Sequence, residues 1–186
     1  MSLALLILAS GRGERFAASG GRTHKLDAPL GDRTVLEHTL AAARASGLRW
    51  HLERAAHPGM GDSIAAAVRA TPDASGWLIL PADLPLVRSD TMQRVARALQ
   101  QQADAAPATR QAVVPRFDGQ RGHPVGFSAA CREGLQALQG DRGAAAVLRE
   151  CTVTLLDTDD EGCVLDVDTL GLLAQAQRLW QQRQRG

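Results

Sequence analysis

Ser10, Gly11, Arg12 and Gly13 stand directly after an unbroken apolar run at residues 3–9, and Arg15 follows two positions later. In a glycine turn at the end of a central strand, backbone N–H groups point at a space where an anion can sit, so the chemistry this spacing invites is phosphate binding. The common phosphate loops do not match. Phe16 stands where the dinucleotide fingerprint requires a glycine, and neither GxxxxGKS nor GxxxxGKT occurs. Spacing alone leaves two readings level: a phosphate cradle, or an ordinary turn with Arg12 and Arg15 solvated. Asp83 poses a similar choice. It lies just beyond a second apolar run, between Pro81 and Pro85, where open α/β sheets place ligand-binding groups or where a carboxylate merely caps a turn. Asp62 and Ser63 read as helix N-caps, Asp141 as a cap, and Asp157, Asp159, Asp160 and Glu161 as a solvated acidic turn.

These residues need a frame to hold them. The run 3–9 is too short for a buried helix and predicts a central strand buried on both faces. Residues 11–33, polar and rich in Gly and Arg, read as a long loop of functional or mobile type. Thr34 and Glu37 form a capping box that starts a helix with Leu36, Leu40 and Ala43 on one face, ending near Gly47. Residues 48–54 alternate Trp50 and Leu52 with Arg49, His51 and Glu53, as a strand near a sheet edge with one solvated face would. Gly59 and Gly61 open a short helix over 64–70, and 77–80 is a second buried strand. Strand, helix, strand, helix, strand predicts a parallel sheet with right-handed crossovers.

Further on, Ser89, Asp90 and Thr91 are expected to cap a helix through Leu99, with a loop at 100–110. A strand at 112–117 is placed at an edge or bulge by Pro115, and another at 123–127 follows a turn at 118–122. Helices are predicted at 129–138 and 143–150, the second capped by Asp141, then a strand at 152–156 and an amphipathic closing helix over 168–184. No repeat, linker or shift in composition divides residues 1–186, which read as one domain.

Composition narrows the partners. With 186 residues, 45% of them hydrophobic, the chain can hide roughly 70% of its unfolded surface and needs no disulfide or metal staple. Twenty-one Lys and Arg against 20 Asp and Glu give a net charge of +1, without the basic excess of a nucleic-acid binder. Aromatics are 3% and Tyr is absent, which disfavours a base-stacking platform. Cys131, Cys151 and Cys163 form no CxxC pair and are odd in number, so they read as reduced, buried thiols of a cytoplasmic protein. The run 3–9 is far short of the roughly 20 residues of a membrane span, and no basic segment precedes it to make a signal peptide.

The glycine loop carries more than its spacing. The string Leu8-Ala9-Ser10-Gly11-Arg12-Gly13-Glu14-Arg15-Phe16, with Lys25 beyond it, closely resembles the opening signature of the nucleotidyltransferase family that activates molybdopterin. That signature is a strand, Leu-Ala-Ala-Gly or Leu-Ala-Gly-Gly, an Arg four residues on and then a Lys. Three further segments fit in order: Leu80-Pro81-Ala82-Asp83-Leu84-Pro85 is similar to the family's Asp-x-Pro metal site, Gly122-His123-Pro124 to its Gly-His-Pro loop, and Asp166-Val167-Asp168-Thr169 to its terminal Asp-x-Asp-Thr. Gly140-Asp141-Arg142-Gly143 is a weaker fifth match, and with Gly-His-Pro it points to the molybdenum cofactor cytidylyltransferase branch. The resemblance spans residues 3–175. It departs at Ser10, at Leu170-Gly171-Leu172 in place of Pro-Glu-Asp, and between Gly47 and Gly59, where one βα unit is missing.

What the resemblance implies is a Rossmann-like three-layer α/β domain with a mostly parallel sheet, of the nucleotide-diphospho-sugar transferase type. The implied reaction is attack by the terminal phosphate of molybdopterin on the α-phosphorus of CTP, or less readily GTP, with loss of pyrophosphate. Two converging polyanions need neutralising, a task for Mg²⁺ and cationic side chains. Arg15, Lys25 and Asp83 are the expected catalytic residues, with Asp83 and Asp166 as Mg²⁺ ligands. Leu8, Ala9, Ser10, Gly11, Arg12, Gly13, Gly61 and Ser63 are expected at the nucleotide, and His123 and Asp141 at the acceptor. Lys25 as a solvated loop residue and His123 as a structural histidine are the plainer alternatives. Expected partners are a nucleoside triphosphate, a molybdopterin-type cofactor and a molybdoenzyme that receives it. Two rival functions remain open: a cofactor-delivery module without catalysis, motivated by the missing βα unit, and transfer to another small phosphate.

Overall fold

The computed structural model describes residues 2–185. From β1 (Ala4–Leu8) the chain passes through α1 (Glu14–Ala18), a 3-10 turn at Lys25–Asp27 and a small hairpin of β2 (Pro29–Leu30) and β3 (Arg33–Thr34) into α2 (Val35–Ala45). Next come β4 (Arg49–Glu53), α3 (Met60–Arg69), β5 (Gly76–Pro81) and α4 (Ser89–Ala105), then the strands β6 (Gln111–Phe117), β7 (Gln120–Arg121) and β8 (Val125–Ser128). The remainder is α5 (Arg132–Gln136), α6 (Ala145–Leu148), β9 (Thr152–Asp157) and α7 (Leu170–Arg185).

One seven-stranded sheet runs in the order β4-β1-β5-β8-β6-β7, with β9 on the far side of β6. β1 pairs in parallel with β4 and β5, and β6 in parallel with β9, whereas β8 is antiparallel to both β5 and β6. All strands except β7 and β8 therefore point the same way, and their carboxyl ends share one edge, the edge where open α/β sheets bind ligands. Between Gly47 and Gly59 the chain carries the single strand β4. Alternation along β1 divides the core in two. Leu5 and Ile7 join the side covered by α2, α4 and α7, while Ala4, Leu6 and Leu8 join the side covered by α3, α5 and α6. Burying each of these Leu and Ile side chains contributes about 1.5–3 kcal/mol, which is why a strand without one polar side chain is central. Among the described residues no helix is long and apolar enough to cross a membrane.

Several sequence expectations need correcting. Residues 11–33 are not one long loop, because α1, the 3-10 turn and the hairpin lie within them. Phe16 and Leu26, both almost fully buried, pin that segment to the core. α4 continues through 100–105, since Gln and Ala are compatible with a helix and Val95 and Leu99 of the same helix face inward. Ser89, Asp90 and Thr91 do not cap α4, and Asp141 does not cap α6. The acidic turn is not simply solvated either. Asp160 is fully buried and accepts hydrogen bonds from the Arg88 N–H (2.7 Å), Thr91 Oγ1 (2.7 Å), the Gly162 N–H (3.1 Å) and Arg183 Nη2 (2.9 Å), so this remote carboxylate satisfies the start of α4. β4 is an edge strand as expected, but Glu53 is buried, not on a solvated face. Pro115 lies inside the sheet, in the gap between the β8 pairing that ends at Val113 and the β7 pairing that begins at Arg116. The capping box at Thr34 and Glu37 is present in full.

Candidate active site

The loop after β1 is held from three sides. The Ala9 N–H donates to the Glu53 carbonyl at 2.8 Å, Ser10 Oγ donates to Ser63 Oγ at 2.8 Å, and His24 Nε2 meets the Gly11 carbonyl at 2.9 Å. Because His24 Nδ1 accepts from the Leu26 N–H, the proton belongs on Nε2, which donates to Gly11. Gly13 has φ +68° at the start of α1, a left-handed conformation that a side chain would strain. Across the cleft, the Gly61 N–H donates to the Gly140 carbonyl and the Gly140 N–H to Asp62 Oδ2, both at 2.8 Å. A Cβ on Gly59 would lie 2.2 Å from the Gly140 carbonyl, so glycine permits this close approach. Asp62 and Ser63 thus dock neighbouring segments and are not the N-caps their positions suggested; Gly59 caps α3 without a side chain.

Charged groups converge where β1, β5 and the 166–168 segment meet. Lys25 Nζ donates to Asp83 Oδ2 at 2.5 Å and Asp168 Oδ1 at 2.6 Å, and Arg15 Nη1 donates to Asp168 Oδ2 at 2.6 Å. Burial alone would lower the Lys25 pKa, but the two carboxylates outweigh it and hold the ammonium above its ordinary range. Asp166 is pushed the other way for a carboxylate: burial raises its pKa, and Asp83 and Asp168 add to the rise against the opposing pull of a backbone N–H and Lys25. Asp83 Oδ1 is buried and has no hydrogen-bond partner. An orphaned carboxylate oxygen amid three carboxylates suits a hard divalent cation. Among the described residues no group of three acidic, His or Cys side chains is arranged to hold an ion unaided.

Three cavities adjoin this centre. The first, about 480 Å³, is lined by Lys25 and Asp168, by Ser10, Gly11, Arg12, Gly13 and Arg15 of the glycine loop and α1, and by His57 and Met60. The second, about 360 Å³, contains Asp83, Asp166 and Asp168 with Gln120, Arg121 and His123. The third, about 340 Å³, is walled mainly by apolar side chains, among them Leu8, Ile64, Ile79, Val125 and Phe127, and shares His123 and Arg121 with the second. His123 is half-buried between the second and third cavities, and that burial lowers its pKa against the weaker opposing effect of Asp83.

The structure brings Arg15, Lys25, Asp83 and Asp166 together, as the sequence reading required, but not every expected residue reaches the cleft. Leu8 faces the third cavity, and Gly61 and Ser63 line none of the three cavities because they are buried in the packing of α3. Asp141 lines the first cavity with the glycine loop, apart from His123. Asp168, His24, His57 and Arg121 were missed. Asp168 was legible in the Asp166-Val167-Asp168 string, whereas nothing in the sequence signals that His24 folds back on Gly11.

A glycine loop, a paired lysine and clustered carboxylates at the carboxyl edge of a mixed sheet define a nucleotide-handling α/β protein. Residues 42–155, more than half of the chain, match the MobA-like NTP transferase domain. The chain belongs to that family. Rv0371c from Mycobacterium tuberculosis superposes with a TM-score of 0.75 at 27% identity, covering 96% of this chain and 98% of that one. A manganese complex of Rv0371c gives 0.73 at 25% identity, with 96% and 99% covered. Molybdopterin-guanine dinucleotide biosynthesis protein A from Archaeoglobus fulgidus, at 16% identity and a TM-score of 0.67 over 96% of this chain and 99% of that one, is a likeness of fold. The bifunctional protein GlmU of Xylella fastidiosa is 27% identical over 122 residues, 53% of this chain. The match spans about a quarter (26%) of that relative's length.

Proposed function

We propose that the chain is a single-domain, Mg²⁺-dependent nucleotidyltransferase that moves CMP from CTP to the terminal phosphate of a molybdopterin-type cofactor and releases pyrophosphate. The observation that carries this reading is Lys25 clamped between Asp83 and Asp168 beside the glycine loop, with Asp83 Oδ1 left free. The acceptor phosphate has a second pKa near 6, so at neutral pH it is largely dianionic and attacks the α-phosphorus without a general base. A bond forms from the acceptor oxygen to that phosphorus, and the bond to the pyrophosphate oxygen breaks with its electron pair leaving on pyrophosphate. A divalent cation held by Asp83 and Asp166 would supply charge neutralisation across the reacting phosphates. Arg15, whose side chain is 81% exposed, and Lys25 supply positive charge for the triphosphate. Gly11, Arg12 and Gly13 offer the backbone and charge that cradle the phosphates.

The family match and the Gly122-His123-Pro124 segment support a molybdopterin-type acceptor at His123, with Asp141 on the opposite, nucleotide side of the cleft. The apolar third cavity offers a wall to a ring-bearing acceptor and few partners to the hydroxyls of a sugar phosphate. The manganese complex of Rv0371c supports divalent-metal dependence, here with Mg²⁺. A cytoplasmic site of action and hand-over of the product to a molybdoenzyme complete the reading. Pyrophosphate release is the test, with Mg²⁺, each of the four nucleoside triphosphates and molybdenum cofactor as reactants. Release with CTP and cofactor together is expected. Cofactor binding without release would make the chain a delivery module, and release only with another phosphate would reassign the acceptor.

A further inference from the structure

β4 forms one edge of the main sheet: β1 pairs with it on one side, and among the described residues no strand pairs with the other. The Glu53 carbonyl accepts the Ala9 N–H at 2.8 Å and so faces β1. Backbone groups alternate along a strand, so Arg49 and His51 face β1 as well, and the N–H and C=O groups of Trp50 and Leu52 point outward. All five residues of β4 stay in register with β1, without a bulge or a proline to blunt the edge. Arg49 is exposed, and Trp50, His51 and Leu52 are half-buried. At the other end of the strand, Glu53 Oε1 accepts the Ala55 N–H at 3.0 Å and lies 3.2 Å from His57 Nε2. Burial raises the Glu53 pKa, but the Ala55 N–H together with His57 and His51 outweighs it and keeps the carboxylate ionised.

We propose that β4 docks a second copy of this chain, antiparallel about a two-fold axis at His51, so that the two sheets continue into one. The order Arg49-Trp50-His51-Leu52-Glu53 is self-complementary about that axis. Arg49 meets the partner's Glu53, Trp50 meets the partner's Leu52, and the symmetry makes each contact twice. Trp50 and Leu52 carry the outward backbone groups, so each such pair exchanges both of its N–H···O bonds. Arg49 and the partner's Glu53 fall in a non-hydrogen-bonded pair, where facing side chains stand closest. An axis at Trp50 or at Leu52 also satisfies the backbone. The first sets Arg49 against the partner's His51 and leaves Glu53 with no residue of β4 opposite, and the second leaves Arg49 beyond the paired stretch. Charge therefore selects both the occupant and the register. An interface one strand wide lies at the low end of specific interfaces, so association is reversible, with a dissociation constant on the order of 10–100 µM.

Sedimentation velocity over roughly 1–500 µM protein tests the assignment, and wild type is expected to pass from monomer to dimer within that range. Arg49→Glu, a change at an exposed position, sets like charges opposite each other twice. It should raise the dissociation constant at least about 10-fold while the thermal midpoint stays in place. His51→Cys tests the axis itself. Only a residue on the axis faces its own copy, so diamide should link two His51→Cys chains through the introduced thiols, as peptide mass mapping would show, whereas Arg49→Cys should give no such link. Hydrogen exchange should slow at the Trp50 and Leu52 amides as protein concentration rises and stay constant at His51, whose N–H already faces β1. A dimer that Arg49→Glu leaves intact, or that His51→Cys fails to link, uses another surface and overturns the assignment. A monomer at every concentration overturns it too and leaves the edge to a strand of a different protein. Neither result touches the nucleotidyltransferase reading, which rests on Lys25 and its carboxylates.

Discussion

At Lys25 a single ammonium faces Asp83 and Asp168 directly, with Asp166 in the same cavity. With Arg15 also paired to Asp168, two positive charges stand among three carboxylates, and the site remains electrostatically under-compensated, a condition that favours function over stability. Neutralising one carboxylate should therefore cost the fold nothing. Asp83→Asn is expected to hold or raise the thermal midpoint while turnover falls by at least about 10²-fold, the usual loss for a key electrostatic group. Scanning calorimetry beside the pyrophosphate assay checks both halves; full turnover would remove Asp83 from the metal site, and loss of activity through unfolding would make it a structural cap. The thiols supply a second residue-scale outcome. Cys131 and Cys151 sulfurs lie 3.5 Å apart, and burial together with that neighbour pushes the Cys151 pKa up to about 12. Burial likewise pushes Cys163 up to about 12. Thiolates are the reactive form, so at pH 8 iodoacetamide should label Cys151 and Cys163 slowly in the folded protein and rapidly in urea. Mass spectrometry of timed aliquots would read the difference.

Asp160 shows how one remote side chain completes an element. α4 lacks a side-chain cap of its own, and the carboxylate from the segment after β9 takes the Arg88 N–H and the Thr91 hydroxyl while also holding Arg183 of α7. Asp160→Ala leaves buried donors and the Arg183 charge unpaired, and should cost about 3–5 kcal/mol in urea unfolding. Triphosphate binding by the fraction still folded should be preserved, since Asp160 lines none of the three cavities. A loss below 1 kcal/mol would show that water replaces it. The glycine loop depends in the same manner on His24, whose Nε2 donates to Gly11 across thirteen residues of chain. His24→Ala should speed hydrogen exchange at Gly11–Gly13 and weaken triphosphate binding several-fold, while the global midpoint moves little; unchanged exchange there would show the loop to be held by Ser10 and Ala9 alone.

Across the whole molecule, stability should depend on pH in a direction that burial fixes. His123 has its folded pKa lowered from 6.5 by burial, so as pH falls below 6.5 the unfolded chain takes up a proton that the folded one refuses. The stability it contributes is full above 6.5 and is lost through the window down to its lowered folded value. Wild type should lose stability relative to His123→Asn on going from pH 7.5 to 5.5, as urea midpoints at each pH would record; parallel curves would place the imidazole in contact with solvent. The strands β1 and β5 were legible in the sequence because a short run of Leu, Ile, Val and Ala is stable only when covered on both faces, and periodicity likewise revealed α2, α4 as far as Leu99, and α7, whereas α3 begins at Met60, earlier than the expected residue 64. The order of the glycine, Asp-x-Pro, Gly-His-Pro and Asp-x-Asp-Thr segments was legible too, since these short strings can be read without knowing the fold. What the sequence alone determined is thus the apolar frame and the local strings along it. Only the tertiary structure decided that Lys25 spans Asp83 and Asp168, that His24 secures Gly11, that Asp160 is buried and that Glu53 faces His57. Each of these pairs residues far apart in the chain or on an unexpected face, and hydrogen bonds of that kind follow from where the sheet brings segments together, which local propensity does not encode.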